Sequence, residues 1–258
     1  MPKRLVDKVC LITGGNSGIG LATAREFIKE GADVMITGRD AQTLAIAAEE
    51  LGPKCTAVLC DVTSAEDLQK VRDAIVARYG RLDVLFANAG IGRASPLGKT
   101  SEATYHEIFD ANVKGVFFTV QTMVDLMPDG GSIVLNASTA PITSAPGSSL
   151  SGASKAAVAA FARSLSADLC LRNIRVNSVS PGPIDTPVWQ RTGAPPELLK
   201  AALSRIAKSV PLGRLGRAEE IAKAVLFLAS DDSSFLLGAN IVADGGAAGI
   251  PGAAPAYR

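Results

Sequence analysis

The sequence predicts a single α/β unit of the doubly wound Rossmann type, a parallel sheet of about seven strands with helices on both faces, and three observations carry that prediction. Apolar runs too continuous for a half-exposed sheet alternate with stretches of helical period from end to end. The first run leads into a glycine loop, Thr13-Gly14-Gly15-Asn16-Ser17-Gly18-Ile19-Gly20, that opens directly onto a helical pattern. At 258 residues, with no clear linker and no internal repeat, the chain suits one large core better than two small ones.

Strand-like runs fall at residues 9–13, 33–37, 56–60, 84–87, 132–136 and 174–179, with Ile241 and Val242 as a late seventh. Between them, Leu21, Ala24 and Ile28 recur at i, i+3, i+7, as do Leu68, Val71 and Ile75. Thr63 followed by Glu66 predicts a capping box for the second of these helices. The βαβ alternation implies right-handed crossovers and ligand sites at the carboxyl ends of the strands. Residues 183–211 are proline-punctuated and contain Trp189, which predicts a loop with a short helix, a mobile lid. Residues 245–258, rich in Gly, Ala and Pro, predict a tail either disordered or packed on a neighbouring subunit.

Composition narrows the function. The 26 basic and 25 acidic residues balance without long runs of either sign, which argues against nucleic-acid and membrane-surface partners. Arg214 and Arg217 are expected on a solvated surface. Lys3 and Arg4 precede an apolar strand too short for a signal-peptide core or a membrane span, so a cytoplasmic location is the default. Cys10, Cys55, Cys60 and Cys170 form no CxxC pair and are expected as reduced structural residues, with no metal site. His106, the one histidine, is expected at the surface.

The glycine loop carries the most chemistry. Glycines at 14, 18 and 20 let the main chain approach a pyrophosphate whose charge meets free N–H groups at a helix N-terminus, the layout of a dinucleotide site. A site for NAD(H) usually ends its second strand on an acidic residue that binds the ribose 2′-hydroxyl. Here that position reads Thr37-Gly38-Arg39. Glycine removes a carboxylate that would repel a 2′-phosphate and Arg39 offers a cation to bind one, so NADP(H) is preferred, with NAD(H) as the alternative.

Further motifs follow in order: Asp61-Val62, Asn88-Ala89-Gly90, Asn112 in Asn-Val-Lys-Gly, Ser138 closing the fifth strand, and Pro181-Gly182-Pro183-Ile184-Asp185-Thr186. Together with the glycine loop they resemble a short-chain dehydrogenase/reductase of the roughly 250-residue type, over about residues 6–246. The resemblance implies cofactor contacts at Gly14, Asn16, Ser17, Gly18, Ile19, Gly20, Arg39, Asp61, Val62, Asn88, Ala89, Gly90, Lys155, Pro181, Gly182, Ile184 and Thr186. It implies a catalytic group of Asn112, Ser138, Lys155 and the residue at 151, an uncharged ketone or alcohol of moderate size as substrate, and a homotetramer. The pocket would draw on residues after Gly90, on residues 139–146 and on the lid near Val188 and Trp189, with Arg93 nearby.

The family's acid/base group is a tyrosine four residues before the lysine, on one helical face with it. This chain has Ser151-Gly152-Ala153-Ser154-Lys155. An aliphatic hydroxyl is a far weaker acid than a phenol of pKa about 10, and it ends roughly 4 Å nearer the backbone. Losing a general acid slows such reactions about 10²- to 10⁴-fold, so the chain as written is expected to bind cofactor and to be nearly inactive. Tyr79, Tyr105 and Tyr257 lie too far along the sequence to substitute by a register shift. Intact Ser138, Lys155 and Asn112 favour an active enzyme in which serine has replaced tyrosine. The alternative is a natural member that has lost redox chemistry and serves as a cofactor-binding regulatory or structural protein.

Overall fold

The computed structural model describes residues 3–190 and 195–257. Its strands are β1 (Val9–Ile12), β2 (Asp33–Gly38), β3 (Cys55–Leu59), β4 (Val84–Ala87), β5 (Ser132–Asn136), β6 (Arg175–Pro181), β7 (Ile184–Asp185), β8 (Gly216–Arg217) and β9 (Asn240–Ala243). Seven of them form one sheet in the order β3-β2-β1-β4-β5-β6-β9, all parallel, while β7 and β8 make a separate two-stranded ladder. Successive side chains along a strand point to opposite faces. Leu11, Leu85 and Leu135 therefore enter one core layer, and Ile12, Phe86 and Val134 the other. Both faces being covered explains why the strands lack polar alternation.

One layer is closed by α1 (Gly18–Lys29), α2 (Ala41–Leu51) and α9 (Ala218–Ala229), which contribute Phe27, Leu44 and Val225. The other is closed by α3 (Ala65–Tyr79), α5 (Gly115–Met123) and α7 (Ser149–Leu169); here Leu68, Val71 and Ile75 are buried together as their spacing predicts. Three further helices, α4 (Glu102–Phe109), α6 (Ala140–Thr143) and α8 (Pro196–Ser209), lie outside these layers. The strand order reverses between β1 and β4, so their carboxyl ends form the crevice where doubly wound sheets bind ligands.

Three local expectations are corrected. The cap of α3 is Ser64, whose Oγ accepts from Asp67 N at 3.2 Å. The Thr63 hydroxyl instead donates to Asp61 Oδ1 at 2.8 Å, because the carboxylate before it is a stronger acceptor within reach. The segment expected to form a lid holds a 14-residue helix, α8, rather than a short one; its residues 191–194 lie outside the described residues. The tail is ordered by contacts within the chain. Asp244 accepts from Gly246 N and Ala248 N and turns the chain back, Ala254 is fully buried, and the final turn, Pro255–Tyr257, packs against α8.

The four cysteines are free and His106 is exposed on α4, as expected. Arg214 and Arg217 are likewise exposed, and Arg214 makes a bidentate pair with Glu220 at 2.7 and 2.8 Å. No described helix is long and apolar enough to cross a membrane.

Candidate active site

At the end of β1 the chain turns through Gly14 and Gly18, whose φ angles of +64° and +52° are left-handed and disfavour any residue with a Cβ. A Cβ at Gly20 would collide with Gly14 O, so the loop closes tightly on the first turn of α1. That turn carries no acidic residue, leaving its N–H groups suited to a pyrophosphate. The loop is fixed from its neighbour: Thr13 Oγ1 accepts from Asn88 N and Ala89 N, both at 3.0 Å. Asn88 Nδ2 donates to Thr13 O at 2.9 Å and to Gly14 O at 3.1 Å. This glycine cradle fits a dinucleotide.

At the end of β2, Gly38 lies against Asn16: a Cβ at 38 would sit 2.8 Å from Asn16 Cγ and Oδ1, so the amide would have to shift. Asn16 Nδ2 donates to Thr43 Oγ1 at 2.8 Å, and Ser17 is the N-cap residue of α1. Arg39 is exposed, with Nη1 3.8 Å from Asp61 Oδ2, and Asp61 Oδ1 is taken by Thr63. Val62 turns its side chain into the core, where Gly115 has no room for a Cβ beside it. Only the main chain of Val62 can face a ligand.

Behind the crevice, Asn112 sits on a π-helical turn, Asp110–Lys114, between α4 and α5. Such turns widen the helix and often occur at functional sites. Asn112 is fully buried; its Oδ1 accepts from Ile91 N at 2.8 Å, and its Nδ2 donates to Ile91 O at 3.0 Å and to Ser154 Oγ at 3.1 Å. Lys155 reaches from α7 to donate to Asn136 O at 2.6 Å, and burial pulls its pKa from 10.5 down to about 8. A Cβ at Gly90 would lie 2.9 Å from Asn112 Oδ1 and 3.4 Å from Lys155 Nζ, so Asn112, Lys155 and Gly90 converge on one spot.

Ser138 follows β5, and its Oγ accepts from Ala140 N at 3.0 Å, which leaves its own proton to donate. Thr139 N donates to Pro181 O at 3.0 Å, bringing Ser138 beside the Pro181-Gly182 turn. Gly182 is pressed against Asp244, and Thr186 lies over Gly18, within 3.3 Å of where a Cβ there would sit. Ile184 points into the core and Trp189 Nε1 donates to Ile184 O at 2.7 Å. Ser151 is half-buried on the first turn of α7; its carbonyl accepts from Ser154 Oγ, and its hydroxyl has no hydrogen-bond partner among the described residues.

Arg93 is paired with Glu107 at 2.8 Å. The three tyrosines stand elsewhere. Tyr79 meets Thr56, Tyr105 stacks on Phe109, and Tyr257 is exposed in the tail. Two participants escaped the sequence reading, Ser154 and Asn136. Asn136 was detectable as the polar end of an apolar strand, at the carboxyl edge where ligands bind.

A family model described as Enoyl-(Acyl carrier protein) reductase matches residues 14–248. The chain is 42% identical over 250 residues to the oxidoreductase asL5 of Sarocladium schorii, covering 96% of this chain and 98% of that protein. It is 42% identical over 248 residues to 3-oxoacyl-(acyl-carrier-protein) reductase FabG of Thermotoga maritima, covering 94% and 98%. A crystal structure of a short-chain dehydrogenase/reductase, glucose/ribitol dehydrogenase, from Brucella melitensis matches with a TM-score of 0.88 and 34% identity, over 95% of this chain and 98% of that one.

Proposed function

The chain belongs to the short-chain dehydrogenase/reductase family of oxidoreductases, and from that membership we propose that it interconverts a secondary alcohol and an uncharged ketone of moderate size using NADP(H), with Ser151 at the position of the acid/base tyrosine. The observation that carries the proposal is the convergence of Asn112 and Lys155 on Gly90, next to a glycine cradle that a dinucleotide fits. The bound nicotinamide would supply or accept the hydride. Gly14, Gly18 and the first turn of α1 would hold its pyrophosphate, and the remaining N–H groups of Lys155 its ribose.

Gly38 and the exposed Arg39 support NADP(H) over NAD(H). A 2′-phosphate would compete with Asp61 for the guanidinium, and at 3.8 Å between exposed groups that ion pair is weak. The free proton of Ser138 would orient the carbonyl oxygen, while Asn112 fixes Ile91 at the edge of the pocket. No side chain with a phenol's acidity stands at 151, so proton transfer is the deficient step. Ser151 equally supports a second reading, a cofactor-binding regulatory or structural protein without turnover. Cytoplasmic location and a homotetramer, built through α7 and the C-terminal segment, complete the proposal.

The test is NADPH and NADH consumption over a panel of prochiral ketones, comparing this chain with Ser151→Tyr at equal concentration. A gain of at least about 10²-fold is expected. If neither form turns over while both bind NADPH, the reading without turnover replaces it.

A further inference from the structure

We infer that Asn136 is a positioning residue for the dinucleotide loop, acting through Asn88 to hold the main chain at Thr13 and Gly14. The inference rests on the reading of the glycine loop as a dinucleotide site. Asn136 Nδ2 donates to Asn88 Oδ1 at 2.8 Å, and Asn88 Nδ2 donates in turn to Thr13 O and Gly14 O. The three residues stand at the carboxyl ends of β5, β4 and β1, which are adjacent in the sheet. The relay therefore runs straight across the crevice.

Its direction is set at the far end. Main-chain carbonyls can only accept, so Asn88 must turn its NH₂ toward Thr13 and Gly14 and its oxygen toward β5. Position 136 must then be a donor. Asn136 meets this at a visible expense, since its own Oδ1 is buried with no hydrogen-bond partner. The three residues before it on β5, Ile133, Val134 and Leu135, are fully buried and apolar. A similar side chain at 136 would leave no orphaned acceptor, so what the amide contributes is its N–H. Lys155 is held by the main-chain oxygen of Asn136, so the side chain can be altered without removing the lysine's acceptor.

The experiment is NADPH binding, followed by nicotinamide fluorescence, for the unaltered chain, Asn136→Ala, Asn88→Ala and the double variant. In parallel, the Lys155 amine is titrated by NMR in the unaltered chain and in Asn136→Ala. Asn136→Ala is expected to weaken NADPH binding about five- to tenfold. The double variant is expected to bind no more weakly than Asn88→Ala alone, because one residue acts through the other. The lysine is expected to titrate near 8 in both forms.

NADPH binding by Asn136→Ala equal to that of the unaltered chain would overturn the inference and leave the dinucleotide reading standing. Losses that multiply in the double variant, or a lysine that shifts along with the loss of affinity, would overturn it too, as signs of a generally loosened β5. Should the alanine variant not fold, Asn136→Asp keeps the shape without the donor and is expected to show the same weakening; unchanged affinity there overturns the inference. An unaltered chain that binds neither NADPH nor NADH would overturn both readings together.

Discussion

Removing the Asn112 side chain tests whether the π-helical turn serves to place one clamp. Three hydrogen bonds end on that side chain, at 2.8, 3.0 and 3.1 Å, and the residue is wholly buried. Asn112→Ala deletes all three and strands the N–H and C=O of Ile91. At about 1 kcal/mol for each neutral bond, the loss is about 3 kcal/mol, more where water cannot reach the stranded groups. For a chain of this size that lowers Tm by about 6–12 °C. Asn112→Asp sharpens the test: it can still accept from Ile91 N, but it sets a buried carboxylate against Ile91 O. A carboxylate oxygen cannot donate to that carbonyl, so the aspartate variant is expected to lose at least about 1 kcal/mol. The assay is calorimetric unfolding of the three forms at pH 7. An alanine or aspartate variant within about 0.5 kcal/mol of the unaltered chain would refute the account.

Two further outcomes follow from the geometry. Because burial lowers the Lys155 pKa from 10.5 to about 8, the unfolded chain binds more protons between those values, and stability should rise with pH across that window by up to about 3 kcal/mol; urea unfolding at pH 7.5 and 9.5 should show the rise, and Lys155→Met should flatten it. Gly182→Ala places a Cβ 2.5 Å from Asp244 Cβ and 2.7 Å from its Cα, where the main chain must shift, so about 1–3 kcal/mol of stability should be lost. NADPH affinity should fall with it, and a variant that unfolds and binds like the unaltered chain would show that the close approach is slack.

The fold was legible because both of its signals are local. Continuous apolar runs marked strands covered on two faces, and Leu68, Val71 and Ile75 marked the buried face of α3 through spacing alone. The cap of that helix was misplaced by one residue because Thr63 and Ser64 offer the same hydroxyl; only the folded position of Asp61 decides which one is drawn away. The tail was illegible for a related reason: its Gly, Ala and Pro content describes a chain without its own periodicity, whereas its order comes from the Asp244 carboxylate at its start and from α8, which is remote in sequence. The site divides in the same way. Backbone-driven features such as the glycine loop announce themselves, because few residues tolerate those φ angles or those close approaches. Side-chain relays do not, since Asn88 and Asn136 are 48 residues apart and meet only because β4 and β5 are neighbours. Ser151 lies between these cases. Its identity is plain in the sequence, but its consequence depends on what surrounds it, and there the fold offers a hydroxyl with no hydrogen-bond partner among the described residues, in a site whose other candidate groups are held in place. On the proposed reading, in which position 151 takes the acid/base role, a site kept in order around it is one that Ser151→Tyr should make active.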